Sequence, residues 1–308
     1  MKEAFKTSIG GQALIEGVMM RGPETSAMAV RKPDGEIDVE FWTTKSPKAW
    51  YRKTPFVRGV FNMADSMILG YKCLMKSAEK AGMDEEEPTK FELWLTDKLG
   101  KSVYSVISGI AMVLGVLLAI GLFMVLPTFL AGLVNHWLPA TAFTRTILEG
   151  VIKIGVFLVY LSLVSRMKDI RRVFEYHGAE HKTIACYEAG KKLTVENIRP
   201  MQRFHPRCGT SFIFIVLIVS ILSFAFITWS NMVIRILLKI LLLPVVIGIA
   251  YEIIKFAGRH DNAFTRFISA PGMWLQRLTT FEPDDSQIEV AIESMLPCIP
   301  QENGADEW

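Results

Sequence analysis

A mainly α-helical membrane protein, with four spanning helices and a small α+β cytoplasmic region at the N-terminal end, is the fold class this sequence predicts. Three observations predict it. Hydrophobic residues make up 51% of the 308 positions, and they gather into long runs in the second and third quarters of the chain. The first hundred residues instead show the alternation and turn signals of a soluble protein. Basic residues concentrate in one of the connections between the apolar runs, which sets an orientation.

A helix needs about 20 apolar residues to cross the hydrocarbon core. Residues 103–133 exceed that, with no charged side chain from Val103 to Val134. Pro127 lacks an amide donor and is expected to bend or end this first span. The second run, 146–165, carries Glu149 and Lys153 one helical turn apart, where they can pair. The third, 211–230, is uncharged, and the fourth, 233–254, has Arg235 and Lys239 near its start, placed to snorkel toward the interface. The connection after span one offers only Arg145. The connection after span two offers Arg166, Lys168, Arg171, Arg172, Lys182, Lys191, Lys192, Arg199, Arg203 and Arg207. Both termini and the 166–210 segment are therefore expected inside, on the cytoplasmic side. The organisation that follows is 1–90, a cytoplasmic α+β region; 91–165, spans one and two; 166–210, a His-rich cytoplasmic segment; 211–257, spans three and four; and 258–308, a cytoplasmic amphipathic segment and tail.

Within the polar parts, residues 27–32 and 36–42 flank Pro33-Asp34-Gly35 and predict a β-hairpin. Val57, Val60, Phe61, Ala64, Ile68, Tyr71 and Met75 recur at helical spacing over 56–81, giving an apolar face for packing or for the membrane surface. Residues 84–88 read as an acidic linker, and Phe91, Leu93, Trp94 and Leu95 as interfacial anchors of span one. Phe264, Phe267, Ile268, Trp274, Leu275 and Leu278 suggest a short interfacial stretch interrupted by Pro271-Gly272. Residues 284–296 read as an amphipathic helix with Ile288, Ala291, Ile292 and Met295 on one side, and the tail from Pro297 as disordered.

A net charge of +3, with no basic patch interleaved with aromatics, argues against nucleic acid as a partner. Membrane lipids and other membrane proteins are the expected partners. Cys73, Cys186, Cys208 and Cys298 are too scattered for a disulfide framework. The first six residues lack the apolar core of a signal peptide, so the first span is expected to direct insertion.

The densest reactive cluster is Tyr176-His177-Gly178-Ala179-Glu180-His181-Lys182. On a helix, His177 and His181 share one face. Two imidazoles at that spacing suit a divalent metal, zinc first, and Glu180 beside them completes a His-x-x-Glu-His pattern in which the glutamate serves as base. His205-Pro206-Arg207-Cys208-Gly209-Thr210-Ser211 abuts span three, and His205 and Cys208 are further metal-compatible donors. The expected topology brings both clusters to the face where span four delivers Glu252, with His260 and Asp261 just beyond. Several readings stay open: histidines against lipid headgroups, a closed structural site of His177, His181, His205 and Cys208, an open site of three ligands plus water with Glu180 as base, or a cysteine mechanism through Cys208 or Cys186.

The run Gly10-Gly11-Gln12-Ala13-Leu14-Ile15-Glu16-Gly17-Val18-Met19-Met20-Arg21-Gly22-Pro23 is the other unusual feature. It lacks the Gly-Lys-Ser/Thr ending of a phosphate loop. Glu16 and Arg21 are charges set in apolar sequence: either Glu16 faces the metal or Arg21 binds an anionic group, or the two form a structural ion pair at a tight turn.

This opening run, Tyr-His-Gly-Ala-Glu-His-Lys at 176–182 and His-Pro-Arg-Cys-Gly-Thr-Ser at 205–211 together resemble the bacterial YqhQ family, over nearly the whole chain from Ser8 to Ser294. The resemblance implies a multi-pass membrane protein and a metal-dependent enzyme. The residues themselves support a hydrolase at the cytoplasmic membrane face, acting on a lipid-linked or membrane-associated substrate. In it Glu180 activates water and Arg21 or Arg207 stabilises developing negative charge. The competing expectation is a membrane assembly or interaction protein in which the metal is structural.

Overall fold

The structure, a computed structural model, describes residues 5–44, 50–83, 103–137, 141–206, 208–227, 231–260, 262–302 and 304–306. The linker at 84–88, the anchors at 91–95, Arg207 and Asp261 lie outside them. The chain is mainly helical with one four-stranded antiparallel sheet. It forms two compact units, one from Met1–Met83, Leu161–Val219 and Pro244–Trp308, the other from Asp84–Tyr160 and Ser220–Leu243.

In the first unit, β1 (Gly10–Leu14), β2 (Gly17–Arg21), β3 (Thr25–Arg31) and β4 (Ile37–Thr43) form a meander in sequence order. The expected hairpin around Pro33-Asp34-Gly35 joins β3 to β4, with Gly35 at a φ of 90° that suits its lack of Cβ. The glycine-rich opening folds into the β1–β2 hairpin, closed by Ile15-Glu16, and Glu16 adopts a left-handed φ of 49°. Alternation along β2 sends Val18 and Met20 into one core and Met19 into the other. The first core is completed by Tyr176 and Ala179 of α5 (Lys168–Glu188) and by Ile288, Ala291 and Met295 of α10 (Asp285–Met295). The second includes Cys73 of α1 (Val57–Lys80). The sheet is thus a central layer with helices on both faces.

Helix α1 packs through its small residues, with Gly59, Gly70, Cys73 and Ser77 buried. The apolar stripe read from the sequence lies on the opposite side, where Val57, Phe61, Ile68, Tyr71 and Met75 are exposed. The start of α1 is tied to α8 (Met232–Arg259): a Cβ on Gly248 would sit 2.6 Å from the Phe56 carbonyl oxygen, and Asn62 donates to the Tyr251 hydroxyl at 2.8 Å.

Three helical stretches are long and apolar enough to cross a membrane: Gly109–Trp137, Phe143–Val164 and Met232–Arg259. The expected third span appears among the described residues as α7 (Gly209–Phe224), an apolar helix of 16 residues. At 1.5 Å per residue it covers about 24 Å, short of a typical hydrocarbon core. Pro127 does not end the first stretch. Helix α2 (Val103–Ile120) passes through a π turn (Gly121–Val125) into α3 (Leu126–Trp137). The widened turn holds the carbonyl of Phe123, the one the Pro127 ring would otherwise strike.

Other expectations need correction. A turn at Ser165–Met167 separates α4 (Ala142–Val164) from α5. Pro271-Gly272 does not interrupt α9 (Ala263–Thr279), and Gly272 lies so close to Ser211 that a Cβ there would meet its Cα at 2.6 Å. The described tail is not disordered. Cys298 is buried, and Asp306 accepts a hydrogen bond from Thr7 Oγ1 at 2.5 Å. Glu149 and Lys153 do not pair within their helix, and Arg235 and Lys239 do not reach outward. Glu149 instead takes Arg235 and Lys239 as partners across helices, and all four are buried. In low dielectric, opposite charges that meet are favoured over the same charges left apart.

Candidate metal centre

Helix α5 carries His177, Glu180 and His181. The i, i+4 spacing sets the imidazoles edge to face on one side of the helix, with ring centres 4.4 Å apart. Gly178 permits this placement: its missing side chain leaves room for the carbonyl oxygen of Phe281, which would lie 2.0 Å from a Cβ. Cys208 enters from the residue before α7. Its sulfur lies 3.2 Å from Nε2 of His177 and accepts from Thr210 Oγ1 at 3.3 Å. Among the described residues, donor atoms of His177, His181 and Cys208 all lie within 4.8 Å of one another.

Both imidazoles are oriented by backbone. Nδ1 of His177 donates to the Thr279 carbonyl at 2.8 Å, and Nδ1 of His181 donates to the Arg203 carbonyl at 2.6 Å. Each Nε2 is therefore the nitrogen with a lone pair, the arrangement found around metal-bound histidines. Glu180 is buried at 4% exposure. The amide of Gly11 donates to it, and its Oε2 has no hydrogen-bond partner among the described residues. A Cβ on Gly11 would press on the Glu180 carboxyl carbon at 3.0 Å, so the glycine of β1 is what lets the carboxylate reach this depth.

Electrostatics couple the donors. Burial raises the Glu180 carboxyl above its ordinary range, opposed by His177 and His181. Burial disfavours a thiolate at Cys208, but the two histidines outweigh it and draw the thiol well below its ordinary value. Burial likewise disfavours charge on His177, and the adjacent sulfur reverses this, raising it to about 9. The set is a soft, negatively polarised N₂S donor group with a carboxylate beside it, which suits zinc. Without an ion the same contact is a thiolate–imidazolium pair, the polarity of a nucleophilic cysteine.

The remaining sequence candidates lie elsewhere. The His205 ring centre is 5.7 Å from that of His181, but its Nε2 faces Glu188 at 3.5 Å. Gln276 clamps the His205 backbone, accepting from its amide at 2.8 Å and donating to its carbonyl at 2.6 Å. Glu252 is not brought to the cluster: Arg58 Nε donates to it at 2.7 Å and the Phe56 amide at 3.2 Å. His260 stacks on Phe256. Glu16 forms an ion pair with Arg172 rather than Arg21 and accepts from the Tyr176 hydroxyl at 3.1 Å, because the β1–β2 turn abuts α5. Arg21 ends β2, opposite Gly10 and Ser26. Cys186 is buried against the Lys192 carbonyl at 3.5 Å. The sequence singled out Gly11 only as part of the glycine-rich run, and pointed to neither Gln276 nor the two orienting carbonyls. Gln276 had a signal, a polar residue between Leu275 and Leu278 on an apolar helix face.

A cavity of about 480 Å³ adjoins this region, bordered by His205, Glu188, Phe204, Met201, Gly258 and Met273.

No solved structure matches the chain. A protein of Bacillus subtilis (strain 168) named "Uncharacterized protein YqhQ" is 36% identical over 296 residues, 95% of this chain and 92% of the relative. The family described as "Protein of unknown function (DUF1385)" matches residues 54–301, which include α1, every spanning candidate and the His/Cys cluster. The chain belongs to that family.

Proposed function

We propose that this protein is a divalent-metal-dependent enzyme of the cytoplasmic membrane, a hydrolase whose site lies at the cytoplasmic face and takes a membrane-associated substrate. One observation carries the reading. Three donors converge with both imidazoles pre-oriented, and a buried carboxylate oxygen beside them has no described partner. Three protein ligands leave a fourth position for water, as in catalytic zinc sites. A bound zinc ion would bring the pKa of such a water to about 7. Glu180, raised by burial, is suited to take the proton from it and return it to the leaving group.

The 480 Å³ cavity has the size of a small-molecule site, and its mixed lining of methionines, Phe204, His205 and Glu188 suits an amphiphile. The exposed stripe of α1 beside the end of α8 suits contact with lipid at that face. Ten basic residues between α4 and α7 support a four-span topology with both termini inside. A membrane assembly protein with a structural metal is the second reading, favoured by His205 standing close enough to His181 to become a fourth ligand if it left Glu188.

Glu180→Gln separates the two. The enzyme reading expects a variant that retains metal yet fails to complement a null strain. Full complementation by Glu180→Gln rejects the catalytic role, and leaves the structural one.

A further inference from the structure

Helix α9 is turned inside out. Its inward face carries Thr265, Ser269, Gly272, Leu275, Gln276 and Thr279, all buried and all but Leu275 small or polar. Its outward face carries Phe264, Phe267 and Trp274, which are 62%, 77% and 52% exposed. Phe267 and Trp274 are seven residues apart and share one line of the helix, and Phe264 lies one turn before Phe267. Arg266 and Arg277 are exposed as well and, eleven residues apart, share a line along one flank of the apolar face. Single exposed apolar residues are ordinary. Three large aromatic side chains outside, with a polar face buried behind them, invert the polarity of a helix that faces water.

The neighbours of α9 identify what covers that face. Helix α9, residues 244–259 of α8 and residues 209–219 of α7 belong to one compact unit. Residues 260–262 are all that separates α9 from the end of α8, which is long and apolar enough to span a membrane. The joint is fixed: Asn262 Oδ1 accepts from the Thr265 amide at 2.9 Å, and Thr265 Oγ1 donates to the His260 carbonyl at 2.9 Å. Ten residues after Asn262, Gly272 meets Ser211 in the first turn of the apolar helix α7. Helix α9 thus passes from the end of one apolar helix to the start of another, about 15 Å along its axis. A helix held at both points lies along the surface that those two ends define. With α7 and α8 in a membrane, that surface is the boundary between lipid tails and headgroups. Aromatic rings are at home there, and guanidinium groups pair with headgroup phosphates.

We infer that α9 is an in-plane helix seated in one leaflet of the bilayer, with Phe264, Phe267 and Trp274 in lipid and its polar face turned to the His/Cys cluster. The inward face does hold that region: the Thr279 carbonyl accepts from His177, and Gln276 clamps the His205 backbone. A helix is about 10 Å across, so the metal donors stand about one helix width from lipid, at the depth of an amphiphile's headgroup. The inference rests on the membrane reading of α7 and α8, and it deepens the membrane-associated substrate proposed above.

The test places a nitroxide label at position 267, through Phe267→Cys, in the full chain held in nanodiscs of phosphatidylcholine and phosphatidylglycerol. The four native cysteines are buried, and the unmodified protein treated with the same reagent sets the background. Glu293→Cys, at an exposed position of α10, is the reference. The label at 267 should collide more with oxygen than with a water-soluble nickel chelate, at a depth of about 5–10 Å inside the headgroup boundary, and the label at 293 should do the reverse. Phe264→Cys should repeat the result at 267, which guards against damage from one substitution. Free access of the nickel chelate to both α9 labels overturns the proposal, because the face then meets water. Exclusion of both reagents overturns it as well, and dipolar broadening between labels then identifies a second copy as the occupant. The depth is read without reference to metal content, so its failure leaves the metal centre standing, and a chain that binds no metal leaves the seat of α9 standing.

Discussion

Two clusters of buried polar groups among the described residues are held by different means. In the unit of 84–160 and 220–243, side chains hold one another: Glu149 is fixed by Arg235, Lys239 and Thr128. At the His/Cys cluster of the other unit, the backbone does the holding, through the carbonyls of Thr279 and Arg203 and the amide of Gly11. Mutual charge pairing makes each member depend on its partners, so the first network serves cohesion and counter-charge. Backbone orientation fixes each donor separately and leaves its lone pair available, which is what a ligand site requires. The two clusters should therefore respond differently to the loss of a single residue.

The largest effect expected on folding comes from Glu149→Ala. It strands Arg235 and Lys239 in a buried site and should cost about 3–5 kcal/mol, measured as a fall in the unfolding midpoint of the purified protein or as loss of monodisperse material. A variant as stable as the parent would mean that these cations are not held by Glu149. Next is Gly178→Ala. The added methyl must displace the Phe281 carbonyl, so the variant should lose about 1–3 kcal/mol and also bind metal more weakly, because α5 shifts against the end of α9 that carries Thr279. Metal affinity equal to the parent's would show that the packing of Gly178 does not govern the donors.

The smallest effect belongs to the α1–β4 edge, where Glu40 meets Lys76 and Lys80. Lys76 and then Lys80 hold the Glu40 carboxyl below its ordinary value of 4.5. A carboxyl lowered in the folded state stabilises the protein above its unfolded pKa, and that contribution disappears as pH falls through the folded value. For so exposed a pair the contribution is under about 1 kcal/mol. Glu40→Gln should flatten the pH dependence of stability below 4.5 without changing stability near neutrality by more than that. An unaltered acid limb would remove Glu40 from the account.

Much of the scaffold was legible in the sequence. Pro33-Asp34-Gly35 between alternating runs marked the β3–β4 hairpin, because turn chemistry is local. The spacing of His177 and His181 placed both imidazoles on one helix face, because helical geometry is local too. What stayed hidden depends on contacts between distant segments. Glu149 and Lys153 invite an intrahelical pair, yet Glu149 prefers cations from α8, which no spacing within α4 reveals. The stripe of α1 was open to packing or to the membrane surface, and its spacing could not choose: Gly59 and Gly70 let the opposite side approach its neighbours closely, and the stripe is exposed. Glu252 looked available, and Arg58, far away in sequence, takes it. Backbone carbonyls such as those of Thr279 and Arg203 carry no side-chain signature at all.

The most direct test of the central claim is zinc quantification and X-ray absorption on the purified protein, repeated with Cys208→Ser. The account predicts one metal ion per chain, with one sulfur at about 2.3 Å and nitrogen or oxygen neighbours at about 2.0–2.1 Å, and loss of the sulfur shell in the variant. A protein that carries no metal after zinc loading, or a metal whose sulfur shell persists without Cys208, would contradict it.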